Sequence, residues 1–340
     1  MKMRKFVLVL SVFVAVCLVV SGCQAKKPTP VSGSAKNDVI RLAIAPQAGL
    51  APIYLGEKHG FYEEEGITLE LTNFNAMAPA IAALISGDLD ISFMGLGVHP
   101  RAVIGDIDIL ILCSLSLGDY VIGNKKMGIT DLESLKKTTV ALPKGSTAEM
   151  TFNFAVKKGG YNPADFNVVN MDVPGTTAAM ISGQIAACAL YMPYVNDIIT
   201  HIGPENIHIF GTSRDYLDEV AFPGSYGATR KFINANQDLI VRFLRAYTKS
   251  ADYVNSHYEE TIDYVVERTG AARDSIKANL DATKFFSKAE TKEMALSGAN
   301  LTLYKNAIDA MNAVGATDAK GDPKDYVNNE LILKALADVK

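Results

Sequence analysis

The 340-residue sequence contains no tryptophan, five histidines and four cysteines. Without tryptophan, one common platform for stacking a flat ligand is missing, and tyrosine is left as the aromatic residue with a polar end. The histidines are isolated from one another and from the cysteines, so the spacing typical of metal sites does not occur. The composition therefore predicts neither a metal site nor a bound cofactor.

The four cysteines fall into two groups. Cys17 and Cys23 lie near the start of the chain, whereas Cys113 and Cys188 lie inside apolar runs far apart in the sequence. A free cysteine in apolar surroundings behaves as a small buried hydrophobic residue. We therefore expect buried thiols at Cys113 and Cys188, with a disulfide between them as the alternative in an oxidising compartment.

The charge is mildly acidic and scattered along the chain. Lysine and arginine together number 33 and aspartate and glutamate 37, which gives a net charge of −4. The first 22 residues hold three of the basic residues and no acidic one, so 30 basic against 37 acidic residues remain, a net charge of −7. This distribution gives no support for nucleic-acid binding. No serine–histidine or paired-carboxylate arrangement is discernible either, so we do not expect an enzyme.

Residues 1–22 have the pattern of a secretory signal peptide. Three basic residues precede an apolar run, Phe6–Val20, which is too short to cross a bilayer comfortably. The run leads through Ser21 and Gly22 into Cys23, which resembles the bacterial lipobox, whose cysteine is diacylated and becomes the first mature residue. An ordinary signal peptide followed by a chance cysteine is the alternative. We expect the protein to be anchored through Cys23 to the extracytoplasmic side of the membrane.

The rest of the chain shows a repeated order of elements. Residues 23–37 have the composition of a flexible tether. From Val39 onward, apolar runs follow the order β-α-β-α-β, which is typical of an α/β sheet. The order returns about a hundred residues later, where Ile181-Ser182-Gly183-Gln184-Ile185 resembles Ile85-Ser86-Gly87-Asp88-Leu89. The repeat predicts two similar lobes.

The predicted fold is α/β with two lobes, each a mostly parallel sheet flanked by helices, and the chain crosses between the lobes twice. Residues 38–118 form the first part of lobe 1, and residues 119–213 form lobe 2. Residues 214–340 return to lobe 1 and add closing helices. Among these, apolar residues on one face predict a long helix over Asp238–Ser256.

Several segments between Val39 and Ile240 resemble one protein family in the order in which they occur. They include Leu42-Ala43-Ile44-Ala45-Pro46, Glu57-Lys58-His59-Gly60-Phe61-Tyr62, Ser86-Gly87-Asp88-Leu89-Asp90, Pro143-Lys144-Gly145-Ser146-Thr147 and Tyr191-Met192-Pro193-Tyr194. In these segments the chain is similar to the nitrate-, sulfonate- and taurine-binding proteins of ABC importers, which also include binders of thiamine pyrimidine precursors. The resemblance implies a periplasmic-binding-protein type II fold with a small anionic solute in the cleft between the lobes. It also implies an ABC permease and ATPase complex as partners of a monomer.

The strand-to-helix loops are short, small and polar. Unpaired N–H groups at a helix start favour an anion, and ligands of open α/β sheets bind beyond the carboxyl ends of the strands. The predicted ligand contacts are Gln47, Asn75, Gly95, Gly97, Ser116, Ser146, Thr147, Thr176, Tyr191 and Tyr226. Arg101 and Lys144 are the basic residues best placed to meet an anion.

These residues also have purely structural interpretations. Ser146 fits the start of a capping box, which by itself accounts for a serine at this position. Gly95 and Gly97 fit tight turns, and Tyr191 and Tyr226 fit half-buried packing. At this stage the sequence leaves both interpretations open.

Three other functions also remain open. The first is the import of a pyrimidine-type or other aromatic solute. The second is an enzyme of the same fold that makes thiamine pyrimidine. For this enzyme the resemblance would require a cysteine-rich motif and a reactive histidine, and the run that contains Cys113 offers one cysteine. The third is an accessory protein that binds the solute and reports its presence.

Overall fold

The computed structural model describes residues 37–44 and 48–338. The predicted signal peptide, the tether up to residue 36, the anchor at Cys23 and the predicted ligand contact at Gln47 therefore lie outside the described residues. None of the helices in the described part of the chain is both long and apolar enough to cross a membrane.

The described residues form eleven strands and fifteen α-helices. The strands are β1 (Asp38–Ile44), β2 (Ile67–Asn73), β3 (Ile91–Met94), β4 (Asp108–Ser116), β5 (Asp119–Asn124), β6 (Thr139–Leu142), β7 (Asn167–Asn170), β8 (Ala187–Tyr191), β9 (Ile207–Thr212), β10 (Pro223–Ala228) and β11 (Thr283–Phe285). The helices are α1 (Ala51–Lys58), α2 (Phe61–Glu64), α3 (Met77–Ser86), α4 (His99–Val103), α5 (Leu132–Lys136), α6 (Thr147–Lys158), α7 (Val173–Ser182), α8 (Tyr194–Ile202), α9 (Arg230–Ala235), α10 (Gln237–Ser256), α11 (Tyr258–Thr269), α12 (Arg273–Asp281), α13 (Lys288–Ser297), α14 (Ala299–Ala313) and α15 (Asn329–Ala335).

The strands form two separate sheets. The six-stranded sheet has the order β11-β4-β10-β3-β1-β2, and the five-stranded sheet has the order β7-β6-β8-β5-β9. The chain enters the second sheet just after Ser116, leaves it at Thr212 and returns to the first sheet at Pro223. The prediction of two α/β units between which the chain crosses twice is confirmed, and the division at residues 118 and 213 stays a prediction.

Both sheets are mixed, which differs from the prediction of mostly parallel sheets. β1 is parallel to β2 and β3, and β6 is parallel to β7 and β8. β10 is antiparallel to β3 and β4, β11 is antiparallel to β4, and β5 is antiparallel to β8 and β9. The repeated β-α-β-α-β order accounts for the parallel pairs. The antiparallel pairs come from strands that enter or leave each sheet next to the crossings, which the repeat does not include.

The matching segments of the two halves form equivalent helix ends. α3 ends at Gly87, whose φ is +88°, and α7 ends at Gly183, whose φ is +75°. Glycine is favoured where a helix ends in this left-handed conformation because it has no Cβ to clash. The sequence similarity between the two segments therefore reflects a shared backbone geometry.

The long helix predicted over Asp238–Ser256 is confirmed as α10. The residues on its apolar face are 5% exposed or less, and they are Ile240, Phe243, Leu244, Tyr247, Ala251 and Val254. Burial of each large apolar side chain contributes about 1.5–3 kcal/mol to stability. This face packs α10 against α1 and the six-stranded sheet, which keeps the strand ends of that sheet in place.

The two cysteines of the folded body, Cys113 and Cys188, are both buried and unpaired. Burial raises the pKa of the Cys113 thiol to about 12 and raises that of the Cys188 thiol as well. Both positions are therefore buried thiols, as expected from their apolar surroundings.

Candidate ligand-binding cavity

A cavity of about 70 Å³ lies between segments of the two sheets. It is lined by Gly49, Met77, Phe93, Gly95, Ser114, Ser116, Gly118, Ser146, Thr147, Tyr191, Met192, Gly224, Asn279, Ala282 and Thr283. Tyr191 is the one titratable residue among these, and no lysine, arginine or histidine is included. An acidic ligand in this cavity would therefore be held by backbone N–H groups and neutral side chains.

A buried carboxylate lies directly behind the lining, at the start of β5. Asp119 is fully buried and accepts a hydrogen bond from Ser116 Oγ, 2.5 Å from its Oδ2. Its Oδ1 accepts a second hydrogen bond, from Thr147 Oγ1. Its backbone N–H donates to Ser213 Oγ at 3.1 Å. Asp119 thus joins the end of β4 to the start of α6, so it connects the two sheets at the cavity.

The ionisation of Asp119 is shifted by its surroundings. Burial raises the pKa of the carboxyl from 3.8 to about 6, while the hydroxyl groups of Ser116, Thr147 and Ser213 favour the charged form. The Asp119 carboxyl is therefore mostly ionised at pH 7.5. The sequence analysis did not identify Asp119. The signal available in the sequence was an acidic residue with apolar strand residues close by, both before and after it.

The start of α6 forms another part of the lining, through Ser146 and Thr147. Ser146 Oγ accepts from the N–H of Glu149 at 3.3 Å and donates to the carbonyl of Pro143 at 2.6 Å. Glu149 Oε2 accepts from the N–H of Gly145 at 2.7 Å, and burial raises the pKa of this carboxyl. Ser146 therefore caps the helix and also lines the cavity, so its structural and ligand-facing interpretations are compatible.

Two other helix starts differ in their capping. α3 begins at Met77 in the cavity wall, and no side chain among residues 37–44 and 48–338 caps it. α7 is capped by Asp172, which accepts from the N–H of Gly175 at 2.8 Å. The free N–H groups at the start of α3 are thus available to an acidic group, whereas those of α7 are partly satisfied. Thr176, on α7, is fully buried with its Oγ1 3.4 Å from the carbonyl of Met171.

Two glycines bring the sheets together at the edge of the cavity. A Cβ on Gly97 would lie 2.7 Å from the carbonyl carbon of Gly145. A Cβ on Gly95 would lie 3.4 Å from the backbone nitrogen of Thr147. The loop after β3 therefore touches the loop after β6, and the cleft is closed on this side.

The C-terminal part of the chain supplies the remaining wall through α12. Asn279 is 7% exposed, its Nδ2 donates to the carbonyl of Met192, and its Oδ1 is buried without a partner. Thr283 Oγ1 donates to the carbonyl of Asn279 at 2.8 Å. On the same helix, Ser275 Oγ donates to Asp197 Oδ1 at 2.7 Å, which ties α12 to α8. Sequence reasoning missed Asn279 because α12 is far from the loops of the repeated unit.

The predicted ligand contacts divide into two groups. Gly95, Ser116, Ser146, Thr147 and Tyr191 line the cavity together. The others that the structure describes are outside the lining, namely Asn75, which is exposed, Gly97, the buried Thr176, and Tyr226. All of these ligand contacts stay predictions.

Tyr226 and Arg101 both lie outside the lining of the cavity. Tyr226 is 1% exposed, and its ring packs edge-on against those of Phe93 and Tyr247 in the core of the six-stranded sheet. Arg101 lies on a neighbouring groove and pairs with Asp106 at 3.0 Å. The structure thus gives Tyr226 a packing role and Arg101 a partner outside the cavity.

The chain was compared with known families and proteins. The family profile described as "NMT1/THI5 like" matches residues 47–261, more than half of the chain. The chain belongs to this family. The "Putative aliphatic sulfonates-binding protein" of Bacillus subtilis (strain 168) is 25% identical over 334 residues, which cover 96% of each chain. Most of the folded body of this family member thus aligns with a single relative.

Solved structures confirm the fold. The periplasmic nitrate-binding protein of Synechocystis PCC 6803 aligns with a TM-score of 0.73 at 13% identity and covers 90% of each chain. The alkanesulfonate-binding protein of Xanthomonas axonopodis pv. citri, solved with MOPS bound, has a TM-score of 0.68 at 14% identity and covers 86% of this chain and 99% of its own. The fold of this family member is therefore that of the periplasmic binding proteins, as the resemblance implied.

One relative is an enzyme. The 4-amino-5-hydroxymethyl-2-methylpyrimidine phosphate synthase of Aspergillus parasiticus is 25% identical over 228 residues, which are 63% of this chain and 66% of that one. The relatives of this chain therefore include a protein named as a putative sulfonate-binding protein and a synthase. For the chain described here, the choice depends on the residues of the cavity.

Proposed function

We propose that this protein is the extracytoplasmic solute-binding component of an ABC importer. It captures a small acidic solute, such as a sulfonate, taurine or nitrate, in the cavity between its two sheets and delivers it to a permease and ATPase complex. The observation that carries the proposal is the cavity at the chain crossings, lined by hydroxyl groups, an amide and the starts of α3 and α6. The near full-length similarity to a protein named for sulfonate binding supports it.

The proposed mechanism is closure of the two lobes around the solute. Moving a two-state protein from about 1:99 to 99:1 in favour of the closed form takes roughly 5.5 kcal/mol of differential binding. A solute bound with a micromolar dissociation constant supplies about 8 kcal/mol in total. Solute binding is therefore strong enough to drive closure, and the permease would engage the closed form.

The test is a thermal-shift screen of the purified full-length chain. At a ligand concentration of 100 times Kd, binding adds about 2.7 kcal/mol to the free energy of unfolding, and the unfolding midpoint rises. We expect such a rise with alkanesulfonates, taurine or nitrate. No rise with any of these, together with a rise for aromatic heterocycles, would reject the proposal in favour of the second candidate.

That second candidate is the import of a pyrimidine-type or other aromatic solute. Phe93 and Tyr191 both line the cavity, and they offer ring surfaces on which a flat solute could stack. An enzyme that makes such a pyrimidine is less well supported, because no cysteine or histidine of the described residues lines the cavity.

We further propose that the protein is a lipoprotein held at the membrane through Cys23. The Cys23→Ser variant removes the thiol that would be acylated, so it is expected to appear in the soluble fraction with unchanged solute affinity. Fractionation of cells that express each form, followed by a solute titration, measures both properties. Membrane retention of the variant equal to that of the wild type would contradict the anchor.

A further inference from the structure

The hydroxyl protons around the cavity already have acceptors within the protein. Ser116 and Thr147 both donate to Asp119, whose ionised carboxylate accepts and cannot donate. Ser146 donates to the carbonyl of Pro143 at 2.6 Å, and Thr283 donates to the carbonyl of Asn279 at 2.8 Å. A hydroxyl has one proton and two lone pairs, so each of these four groups presents only lone pairs to a ligand.

An amide adds another acceptor to the same lining. Asn279 donates from Nδ2 to the carbonyl of Met192, which leaves its Oδ1 as a buried acceptor with no partner among the residues that the structure describes. A buried polar atom left unpaired is costly, and a donor on the ligand would remove this cost. Ser114 and Tyr191 are the remaining lining side chains that carry a hydroxyl proton.

The negative charge of Asp119, behind the lining, also favours a hydrogen-bond donor on the ligand. The Asp119 carboxylate lies one hydroxyl away from the cavity, and within the described part of the chain no basic residue lines the cavity to offset it. A purely anionic solute would be repelled by this carboxylate, whereas a cationic group would be attracted. The N–H donors for an acidic group are instead at the starts of α3 and α6, where Met77 and Thr147 lie.

We propose that the solute carries an amino or ammonium group in addition to its acidic group, and that its N–H groups donate to the oxygens of Ser116, Thr147 and Asn279. This rests on the proposed function and narrows its solute class from small anions to small amino acids of the sulfonate or carboxylate type. Asp119 is a positioning residue, because it acts through the two hydroxyls that it orients.

Matched pairs of solutes test the proposal on the wild-type full-length chain. The pairs are taurine with ethanesulfonate and β-alanine with propionate, each differing in the amino group, and nitrate is added as an anion without N–H groups. By titration calorimetry at pH 7.5, we expect the amino member of a pair to bind roughly 10- to 100-fold more tightly, the range for a buried hydrogen bond to a charged group.

The outcomes separate the two proposals. Ethanesulfonate, propionate or nitrate binding as tightly as the amino compounds would overturn the inference and leave the proposed function intact. No binding by any of the five solutes or by longer alkanesulfonates would overturn the proposed function, and the inference with it.

The Asp119→Asn variant tests the positioning role, with Tyr62→Phe as a control that removes a buried hydroxyl outside the cavity. Ser116 on β4, Thr147 on α6, Tyr191 on β8 and Ser213 after β9 face Asp119, and among these only Tyr191 titrates, with a pKa raised by burial. For the wild type and Tyr62→Phe, taurine affinity should therefore fall by about tenfold as the pH drops from 7.5 to 5, because Asp119 becomes protonated with a pKa of about 6. Asp119→Asn should lose both this pH dependence and the preference for taurine. Wild-type affinity that rises toward pH 5 would overturn the inference even if Asp119→Asn does not fold.

Discussion

Replacing Gly97 with alanine is expected to lower solute affinity by roughly 10- to 100-fold. The added Cβ would lie 2.7 Å from the carbonyl carbon of Gly145, and this neighbour is backbone that cannot rotate away. Relieving such overpacking costs about 1–3 kcal/mol, and each 1.4 kcal/mol is about tenfold in affinity. The strain exists only while the two loops touch, so it acts against the closed cleft.

The fold of the Gly97→Ala variant should remain intact. The φ of Gly97 lies outside the left-handed region, so alanine fits its backbone, and the lobes can relieve the contact by opening. Gly95→Ala is the matched control: its Cβ would lie 3.4 Å from the Thr147 nitrogen, a contact that needs only a small adjustment, so its loss of affinity should be smaller. Solute titration measures the affinities, and small-angle X-ray scattering with saturating solute measures closure. Wild-type affinity in Gly97→Ala would show that binding does not need this approach of the two loops.

Gly97 also shows which roles of a residue can be predicted from its local sequence and which cannot. Its place in a short glycine-containing loop after a strand suggests either a tight turn or a ligand contact. The distance to Gly145 adds a third role, close approach of two lobes, which depends on how separate sheets meet. The helix end at Gly87, by contrast, follows from its own segment, which is why the repeat predicted it and its partner at Gly183.

The same difference separates the cavity residues that could be predicted from those that could not. Ser146 and Thr147 follow one strand and start one helix, so their position could be predicted from the order of elements. Asp119 gains its role from hydroxyls on β4 and α6, and Asn279 enters from a helix far along the chain. Neither set of partners leaves a periodic signal in the sequence. The two-lobed fold was therefore predictable, whereas the polarity of the cavity required the structure.

The second prediction with a large effect is that the free energy of unfolding depends on pH because Asp119 is buried. Its pKa is raised from 3.8 to about 6, so between these pH values the folded protein holds a proton that the unfolded chain has released. The free energy of unfolding therefore falls as the pH rises. The stability that the folded protein gains by keeping this carboxyl protonated is fully present below about pH 3.8 and is lost as the pH rises through about 6. A shift of this size corresponds to roughly 3 kcal/mol.

The Asp119→Asn variant isolates this contribution, because asparagine is similar in shape and does not titrate. The free energy of unfolding of the variant minus that of the wild type is expected to increase by about 2.4 kcal/mol between pH 4 and pH 7.5, which is most of the full shift. Urea unfolding of both proteins across this range measures the difference, in which the other titrating groups cancel. A difference that stays constant or decreases with pH would mean that the hydroxyls of Ser116 and Thr147 offset the burial of the charge completely. If the difference increases with pH as expected, the ionised carboxylate of Asp119 lowers the stability of the folded protein. A cationic group on a bound solute would reduce this loss.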